Sequence, residues 1–361
     1  MLVIIKNRNP MDNTNLFKHS PKELVTDAFI TWLIYLLDSK KELREQKNKF
    51  FSALLLKEND KNKNVKSVKI VKQKKGKHGR PDIVLNFNME GKEQTILFEN
   101  KTWTTTSNSQ LSGYKNDYGD IYRYFYLKLA YVNIKEQKLC EINGYDVITS
   151  EGLLQAIQKL KPLHPFIEQY AEYLKHTFTL KINELYQRLF DKDDFEVLKN
   201  AQGQEIFTSF LYNSLEKRGI SELKFKTGSS SGRPWAEVNI CSSQVKYNSE
   251  NREKEIEETI FWRVDIRASK YYVRLNQYTY NPPKDYLPLK KKRLVELRSI
   301  AKNLINKDRQ LFGGKISNKG KAESEIVIFF EDKNSIKYLL KVLPAFSEEF
   351  IKTYKEMNNN A

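Results

Sequence analysis

Two acidic residues and a lysine in the first third of the chain have the types and spacing that a metal-assisted reaction requires. Asp82 lies near the start of one predicted strand and Glu99 near the end of the next, with sixteen residues and a turn between them. In an antiparallel hairpin this spacing brings both carboxylates to the same end of the sheet. Lys101 follows Glu99 by two residues, so its side chain projects from the same face of the strand.

The chemistry open to these groups is hydrolysis assisted by a divalent cation. Two converging carboxylates suit Mg²⁺ or Mn²⁺, which take oxygen ligands and retain water. The side chain of Asn100 is expected to point to the opposite face, which leaves its backbone carbonyl as a further ligand. A lysine beside a scissile phosphate can stabilise the negative charge on the attacking oxygen.

Short segments rich in Val, Ile, Leu and Phe must position these residues as strands of one sheet. These segments are 65–71, 81–87, 94–101, 125–132 and 145–149. Helices are predicted after the cap residues Ser20 and Ser107, and over 151–160. We therefore expect an α/β domain over residues 1–180, with a mixed sheet flanked by helices.

The second half of the chain has a different pattern. Apolar positions keep a helical period over 165–190, which predicts a helical connector. Period-2 strands, a basic helix, a further strand and a closing helix are then predicted near 262–275, 289–305, 325–330 and 333–354. Gly228 to Gly232 is expected to be a flexible loop. Residues 181–361 are thus predicted to contain a helical connector and an α+β C-terminal domain that binds nucleic acid or mediates oligomerisation.

The positive charge of the chain is concentrated in two stretches. The formal net charge is +17. Residues 57–80 hold ten basic and two acidic residues, and residues 284–321 hold twelve and three, so the two stretches account for +8 and +9. Clustered charge of this kind favours a nucleic-acid partner, although a surface of solvated lysines is the simpler alternative. We expect the run Lys290, Lys291, Lys292 and Arg293 to contact nucleic acid.

The motifs between residues 81 and 114 resemble those of a known family. Pro81-Asp82 followed by Glu99-Asn100-Lys101 is similar to the signature of PD-(D/E)XK nucleases, and Gln110 to Tyr114 is similar to a QxxxY helix. The resemblance extends over about residues 15 to 180, and includes a bacterial subgroup with an ExK and QxxxY pattern. It implies a restriction-endonuclease-like fold and metal-dependent phosphodiesterase activity.

The resemblance also implies roles for individual residues. Asp82 and Glu99 would be metal ligands, and Lys101 the catalytic lysine. Gln110 and Tyr114 would orient the substrate. Apart from the resemblance, Arg80 of the basic stretch before Asp82 is a candidate for substrate binding. An acidic residue of the first helix would assist with the metal, and the candidates there are Glu23 and Asp27.

Several of these residues have a simpler structural interpretation. Glu23 stands at the capping-box position after Ser20, and Gln110 stands at the same position after Ser107. Asp27 is also explained as a partly buried hydrogen-bond acceptor, and Tyr114 as a packing residue. These alternatives remain open at the level of the sequence.

Other classes of protein are disfavoured. The two cysteines, Cys140 and Cys241, provide neither a disulfide framework nor a CxxC metal site. No run of 18 apolar residues occurs, and the opening apolar segment is too short for a signal peptide. We expect a cytoplasmic protein that does not span a membrane.

The sequence as a whole predicts a Mg²⁺-dependent deoxyribonuclease, with Mn²⁺ as the alternative metal, and the resemblance implies a role in defence against foreign DNA. Two rival hypotheses remain. The chain could be a non-catalytic nucleic-acid-binding protein built on a nuclease core, or a subunit of a larger defence complex that is active only with a partner. A homo-oligomer or a partner protein is compatible with each of them.

Overall fold

The computed structural model describes residues 15–19, 22–71, 77–160, 163–230, 232–249, 252–267, 270–308, 312–317, 324–330 and 335–359. Ser20, the predicted cap of the first helix, lies outside these residues, as do the first residues of the predicted closing helix. The chain divides into two compact units between Glu184 and Leu185, and the short segment Asn133–Lys135 belongs to the second unit.

The first unit is a mixed α/β unit built on a five-stranded sheet. Its strands are β1 (Val65–Ile70), β2 (Ile83–Met89), β3 (Lys92–Lys101), β4 (Arg123–Lys128) and β5 (Tyr145–Thr149), in the spatial order β1-β2-β3-β4-β5. The first three strands are antiparallel, and β3, β4 and β5 run parallel. The predicted mixed sheet flanked by helices is confirmed for this unit.

Helices occupy both faces of this sheet. They are α1 (Lys22–Ser39), α2 (Arg44–Leu54), α3 (Asn108–Tyr118), α4 (Ile134–Asn143), α5 (Ser150–Gln158) and α6 (Pro165–Leu174). Alternate residues of β3 enter two different cores: Ile96 and Phe98 pack with α1, α2, α5 and α6, whereas Leu97 packs with α3. This alternation assigns Glu99 and Lys101 to the α3 face and Asn100 to the α1 face.

The chain stays helical after α6. A π-helical turn over Lys175–Thr179 leads into α7 (Leu180–Tyr186), and a second π-helical turn covers Gln187–Asp191. Short 3-10 helices occur at Leu16–His19, Lys41–Leu43, Glu58–Asp60, Phe195–Lys199 and Lys284–Tyr286.

The second unit is built on an antiparallel sheet. Its strands are β6 (Lys224–Ser230), β7 (Arg233–Ser249), β8 (Arg252–Arg267), β9 (Lys270–Thr279), β10 (Lys315–Ile316) and β11 (Ser324–Phe330), in the order β10-β11-β9-β8-β7-β6. Its helices are α8 (Ala201–Glu216), α9 (Leu287–Lys307) and α10 (Ile336–Asn359). The flexible loop predicted from Gly228 is wrong in its first half, because residues 228–230 pair with β7.

Helix α10 contacts the sheet of the second unit at Trp262 of β8. Trp262 is buried, and its indole N–H donates to Ser347 of α10 at 2.8 Å.

Helix α8 holds the short segment Asn133–Lys135 in the second unit. The Ile134 N–H donates to the Ser209 hydroxyl at 3.2 Å, and the Asn133 amide donates to Glu205 at 3.2 Å. Within the described ranges, we find no helix that combines the length and apolarity needed to cross a membrane.

Candidate functional site

The hairpin of β2 and β3 brings Asp82 and Glu99 together as predicted. Ile83 pairs with Phe98, and the Asp82 N–H donates to the Phe98 carbonyl at 3.1 Å, which puts Asp82 opposite Glu99. Oδ2 of Asp82 accepts from the Asn100 N–H at 2.6 Å. Because the N–H and C=O of one strand residue point to the same side, the Asn100 carbonyl faces Asp82 as well.

Glu99 is the most buried acid of the site, with 1% of its surface exposed. Oε1 accepts from Lys101 Nζ and from Gln110 Nε2, the latter at 2.7 Å. Oε2 is buried and has no hydrogen-bond partner. Burial and the charge of Asp82 raise the pKa of Glu99 to about 7, although Lys101 opposes the rise. One oxygen of this carboxylate is therefore left unsatisfied inside the protein.

Helix α3 fixes the position of Glu99. The Ser107 hydroxyl caps the helix by accepting from the Gln110 N–H at 3.2 Å, which confirms the predicted start. The Gln110 side chain also donates to the Tyr114 hydroxyl at 3.2 Å, and that hydroxyl donates to the Arg80 carbonyl at 2.9 Å. Tyr114 is buried, so it positions neighbouring groups, whereas the Arg80 side chain is exposed.

The close approach of α3 to the loop before β2 depends on Gly113. A Cβ at this position would lie 2.5 Å from the Cβ of His78. The His78 N–H and ring Nδ1 both pair with the Asp117 carboxylate, at 3.1 and 3.0 Å. The absence of a side chain at Gly113 thus lets this loop dock on α3, next to the Tyr114 contact with Arg80.

Helix α1 provides two further acids, which have different surroundings. Oδ1 of Asp27 accepts from the Asn100 amide at 2.9 Å. Burial and the nearby charge of Asp82 raise the pKa of Asp27 to about 7. Oε1 of Glu23 instead accepts from the Thr102 N–H at 3.0 Å and the Thr104 hydroxyl at 2.9 Å. Glu23 therefore anchors the segment after β3 through this oxygen, and its role as a metal ligand stays a prediction.

The electrostatics of the cluster are dominated by its acids. Burial also raises the pKa of Asp82, against the opposing effects of the Asn100 N–H and Lys101. Burial alone would lower the pKa of Lys101, but its hydrogen bond with Glu99 and the charges of Glu99 and Asp82 raise that pKa overall. A further positive charge would relieve the repulsion among Asp27, Asp82 and Glu99.

Only a small set of oxygen ligands at this site suits a hard cation. Among the residues that the structure describes, no group of three or more His, Cys, Asp or Glu side chains is arranged to hold a metal ion. The oxygens that fit are those of Asp82 and Glu99, together with the Asn100 carbonyl. The unsatisfied Oε2 of Glu99 is the observation that favours a cation at this point.

The four basic residues 290–293, which were predicted to contact nucleic acid, separate into an exposed pair and a buried pair. Lys291 and Lys292 are exposed on α9. Lys290 and Arg293 are buried, each with 5% exposure, and Arg293 forms an ion pair with Glu258 at 2.6 Å. The prediction that Arg293 and Lys290 contact nucleic acid is thus corrected, because the helix turns both side chains into the unit.

Some residues at the site were missed by the sequence analysis. Lys128 is buried and donates to Glu136 at 2.9 Å and to the Thr104 carbonyl at 2.5 Å. A lysine inside an apolar strand segment signals a buried acidic partner, and this signal was present in the sequence. Trp103, directly after the Glu-x-Lys motif, was also missed.

Comparison with known proteins finds no match, whether with a protein-family model, a curated protein or a solved structure.

Proposed function

We propose that the first unit is a metal-dependent nuclease, and more specifically a Mg²⁺-dependent deoxyribonuclease that hydrolyses phosphodiester bonds. The observation that supports this most is the buried carboxylate of Glu99, which lies beside Asp82 and Lys101 and whose Oε2 accepts no hydrogen bond. A buried carboxylate oxygen without a partner is costly, and a bound ion is one way in which such a group is satisfied.

The cation would be held by Asp82, Glu99 and the carbonyl of Asn100. When bound, Mg²⁺ or Mn²⁺ supplies Lewis-acid polarisation of the phosphate and activation of a water molecule. Asp27 orients Asn100 through the amide of that residue. Gln110 holds Oε1 of Glu99 in place, so the carboxylate presents its other oxygen.

Lys101 is the group that reaches the substrate. Its side chain is 15% exposed, against 1% for the Glu99 side chain with which it pairs. A phosphate approaching from solvent thus meets the ammonium group before it meets the carboxylate. There Lys101 stabilises the negative charge that develops on the phosphate oxygens and the attacking oxygen.

The choice of DNA and of a defence role rests on the resemblance to PD-(D/E)XK nucleases, with which the mixed α/β sheet is compatible. Exposed Arg80 and the basic stretch before Asp82 supply contacts to the sugar–phosphate backbone. The second unit is proposed to bind nucleic acid or a partner chain.

The direct test incubates the pure protein with plasmid, linear and single-stranded DNA and with RNA, each with Mg²⁺, Mn²⁺ or EDTA. Asp82→Ala, Glu99→Gln and Lys101→Ala are expected to reduce the cleavage rate by about 100-fold or more. Glu93→Gln is the matched control for Glu99→Gln, since Glu93 is an exposed acid at the other end of the same strand. Equal cleavage by wild type and Asp82→Ala would contradict the site.

The partner-activated alternative is favoured by one feature. The described residues offer two carboxylates and a carbonyl, but no third acidic or histidine ligand in a metal-binding group. If the protein binds Mn²⁺ in a manner that requires Asp82 and yet cuts nothing, a partner that completes the site becomes the better proposal. If it binds nucleic acid but no metal, it is a non-catalytic binding protein.

A further inference from the structure

Trp103 is a large aromatic residue at an unusual position. It follows Lys101 by two residues, and 45% of its surface is exposed. Trp262, in the second unit, is by contrast buried at 1% exposure. An extended chain spans at most about 7 Å over two residues, so the backbone of Trp103 lies within the length of one nucleotide from that of Lys101.

The segment that presents Trp103 is held on both sides of it. Before it, the Thr102 N–H donates to Glu23, and after it the Thr104 hydroxyl donates to the same carboxylate oxygen. The Thr104 carbonyl accepts from the buried Lys128, whose charge is balanced by buried Glu136. Two charged side chains from other elements thus fix three residues of non-repetitive chain.

The indole also has an aromatic support. Its ring centroid lies 5.6 Å from that of Phe178, with an interplanar angle of 40°. Phe178 is itself buried, and packs edge-on against Tyr173 at 5.6 Å. The support limits the orientations open to the indole, so contact with a ligand costs little conformational entropy.

We propose that Trp103 stacks on an unpaired nucleobase next to the scissile phosphate, so that the substrate is single-stranded or locally unpaired nucleic acid. This inference rests on the proposed nuclease function and specifies its substrate class. Every base offers a π-face, and stacking on an aromatic side chain is tolerant of sequence. Inside a duplex both faces of a base are covered by its neighbours, so a base must leave the stack before it meets the indole.

The test is a binding cycle in the Lys101→Ala background, in which cleavage is expected to be at least about 100-fold slower. The two probes are an oligothymidylate and an abasic sugar–phosphate oligomer of the same length, both in Mg²⁺. Trp103→Ala should weaken binding of the oligothymidylate by at least about fivefold and leave binding of the abasic oligomer unchanged. Trp103→Phe should retain most of the affinity for the oligothymidylate.

Tyr35→Ala is the matched control. Tyr35 is 51% exposed and lies on α1 twelve residues beyond Glu23, about 18 Å along the helix axis. It should not change the affinity for either probe. In otherwise wild-type protein, Trp103→Ala should reduce cleavage of single-stranded substrate in the same proportion as binding.

The outcomes separate this inference from the nuclease proposal. One outcome is that the wild type shows metal-dependent cleavage and Trp103→Ala loses equal affinity for both probes. This result overturns the stacking inference and leaves the nuclease proposal standing. A strong preference of the wild type for fully paired duplex overturns it as well. If the wild type neither binds nor cuts any nucleic acid, both proposals fail.

Discussion

The two units each bury a glutamate next to a basic residue, but only one of the two carboxylates has hydrogen-bond partners for both of its oxygens. Glu258 in the second unit is fully buried and accepts from Arg293, Gln277 and Tyr354. Glu99 in the first unit accepts from Lys101 and Gln110 through one oxygen, and its other oxygen is left without a partner. A buried carboxylate with both oxygens paired has the cost of its burial offset by those partners, whereas a half-paired one among further acids is suited to binding a cation.

The largest expected effect is on the stability of the second unit. Arg293→Ala leaves the Glu258 charge buried without its counter-ion, and should lower the free energy of unfolding by about 3–5 kcal/mol. Lys291→Ala, on the exposed side of the same helix, should change it by less than about 0.5 kcal/mol. Urea unfolding of both variants measures the difference. Similar small losses of unfolding free energy in the two variants would contradict this prediction. The stability of the second unit would then not depend on the ion pair between Arg293 and Glu258.

The response to metal should be confined to the first unit. Mg²⁺ or Mn²⁺ at about 100 times its dissociation constant should stabilise the protein by about 2.7 kcal/mol. This gain should be larger near pH 8 than near pH 5.5, since the pKa of Glu99 is about 7 and a ligand must lose its proton. Thermal unfolding with and without metal measures it. Asp82→Asn should abolish the gain and Lys291→Ala should not, and a gain that survives Asp82→Asn places the metal elsewhere.

Removing one acid from the crowded cluster should stabilise the metal-free protein. The pKa of Asp27 is raised to about 7, above its value in the unfolded chain, so the folded state loses stability as pH rises from about 4 to about 7. Asp27→Asn should therefore raise the free energy of unfolding by about 1 kcal/mol at pH 8 in EDTA, and by less at pH 5. Urea titrations at the two pH values test this. Destabilisation at both values would contradict the prediction, because the hydrogen bond that Asp27 accepts from Asn100 would then outweigh the repulsion from the neighbouring acids.

The smallest effect concerns the exposed lysines of α9. Lys291→Gln with Lys292→Gln should reduce the salt dependence of nucleic-acid binding by about one unit of log–log slope per lost phosphate contact. Lys337→Gln with Lys341→Gln, two exposed lysines of α10, is the matched control. Affinity measured over a range of salt concentrations gives both slopes. Equal slopes for the two double variants would remove α9 from the nucleic-acid interface.

The parts of the site that depend on local geometry could be predicted from the sequence. The pairing of Met89 with Lys92 fixes the hairpin register, and that register alone puts Asp82 opposite Glu99. The cap at Ser107 and the strand alternation that separates Asn100 from Lys101 are likewise local. Such features follow from chain geometry without knowledge of the tertiary contacts.

The parts that depend on distant partners could not be predicted. Arg293 pairs with Glu258, 35 residues earlier in the chain, and a run of four basic residues does not reveal which of them face inward. The contacts of Glu23 with Thr102 and Thr104, about 80 residues away, could not be predicted either. The extent of β7 was missed for a related reason: its polar residues are stabilised by pairing with β6 and β8 rather than by their own propensity.

The assignment of Asn133–Lys135 to the second unit has a consequence for biosynthesis. The partners of Asn133 and Ile134 on α8 are 72 and 75 residues further along the chain. At a translation rate of about 5–20 residues per second, these partners leave the ribosome about 4–15 seconds later. During that interval β4 and β5 can pair while the segment that joins them still lacks its final hydrogen bonds. Ribosome pauses placed between residues 135 and 205 would lengthen this interval.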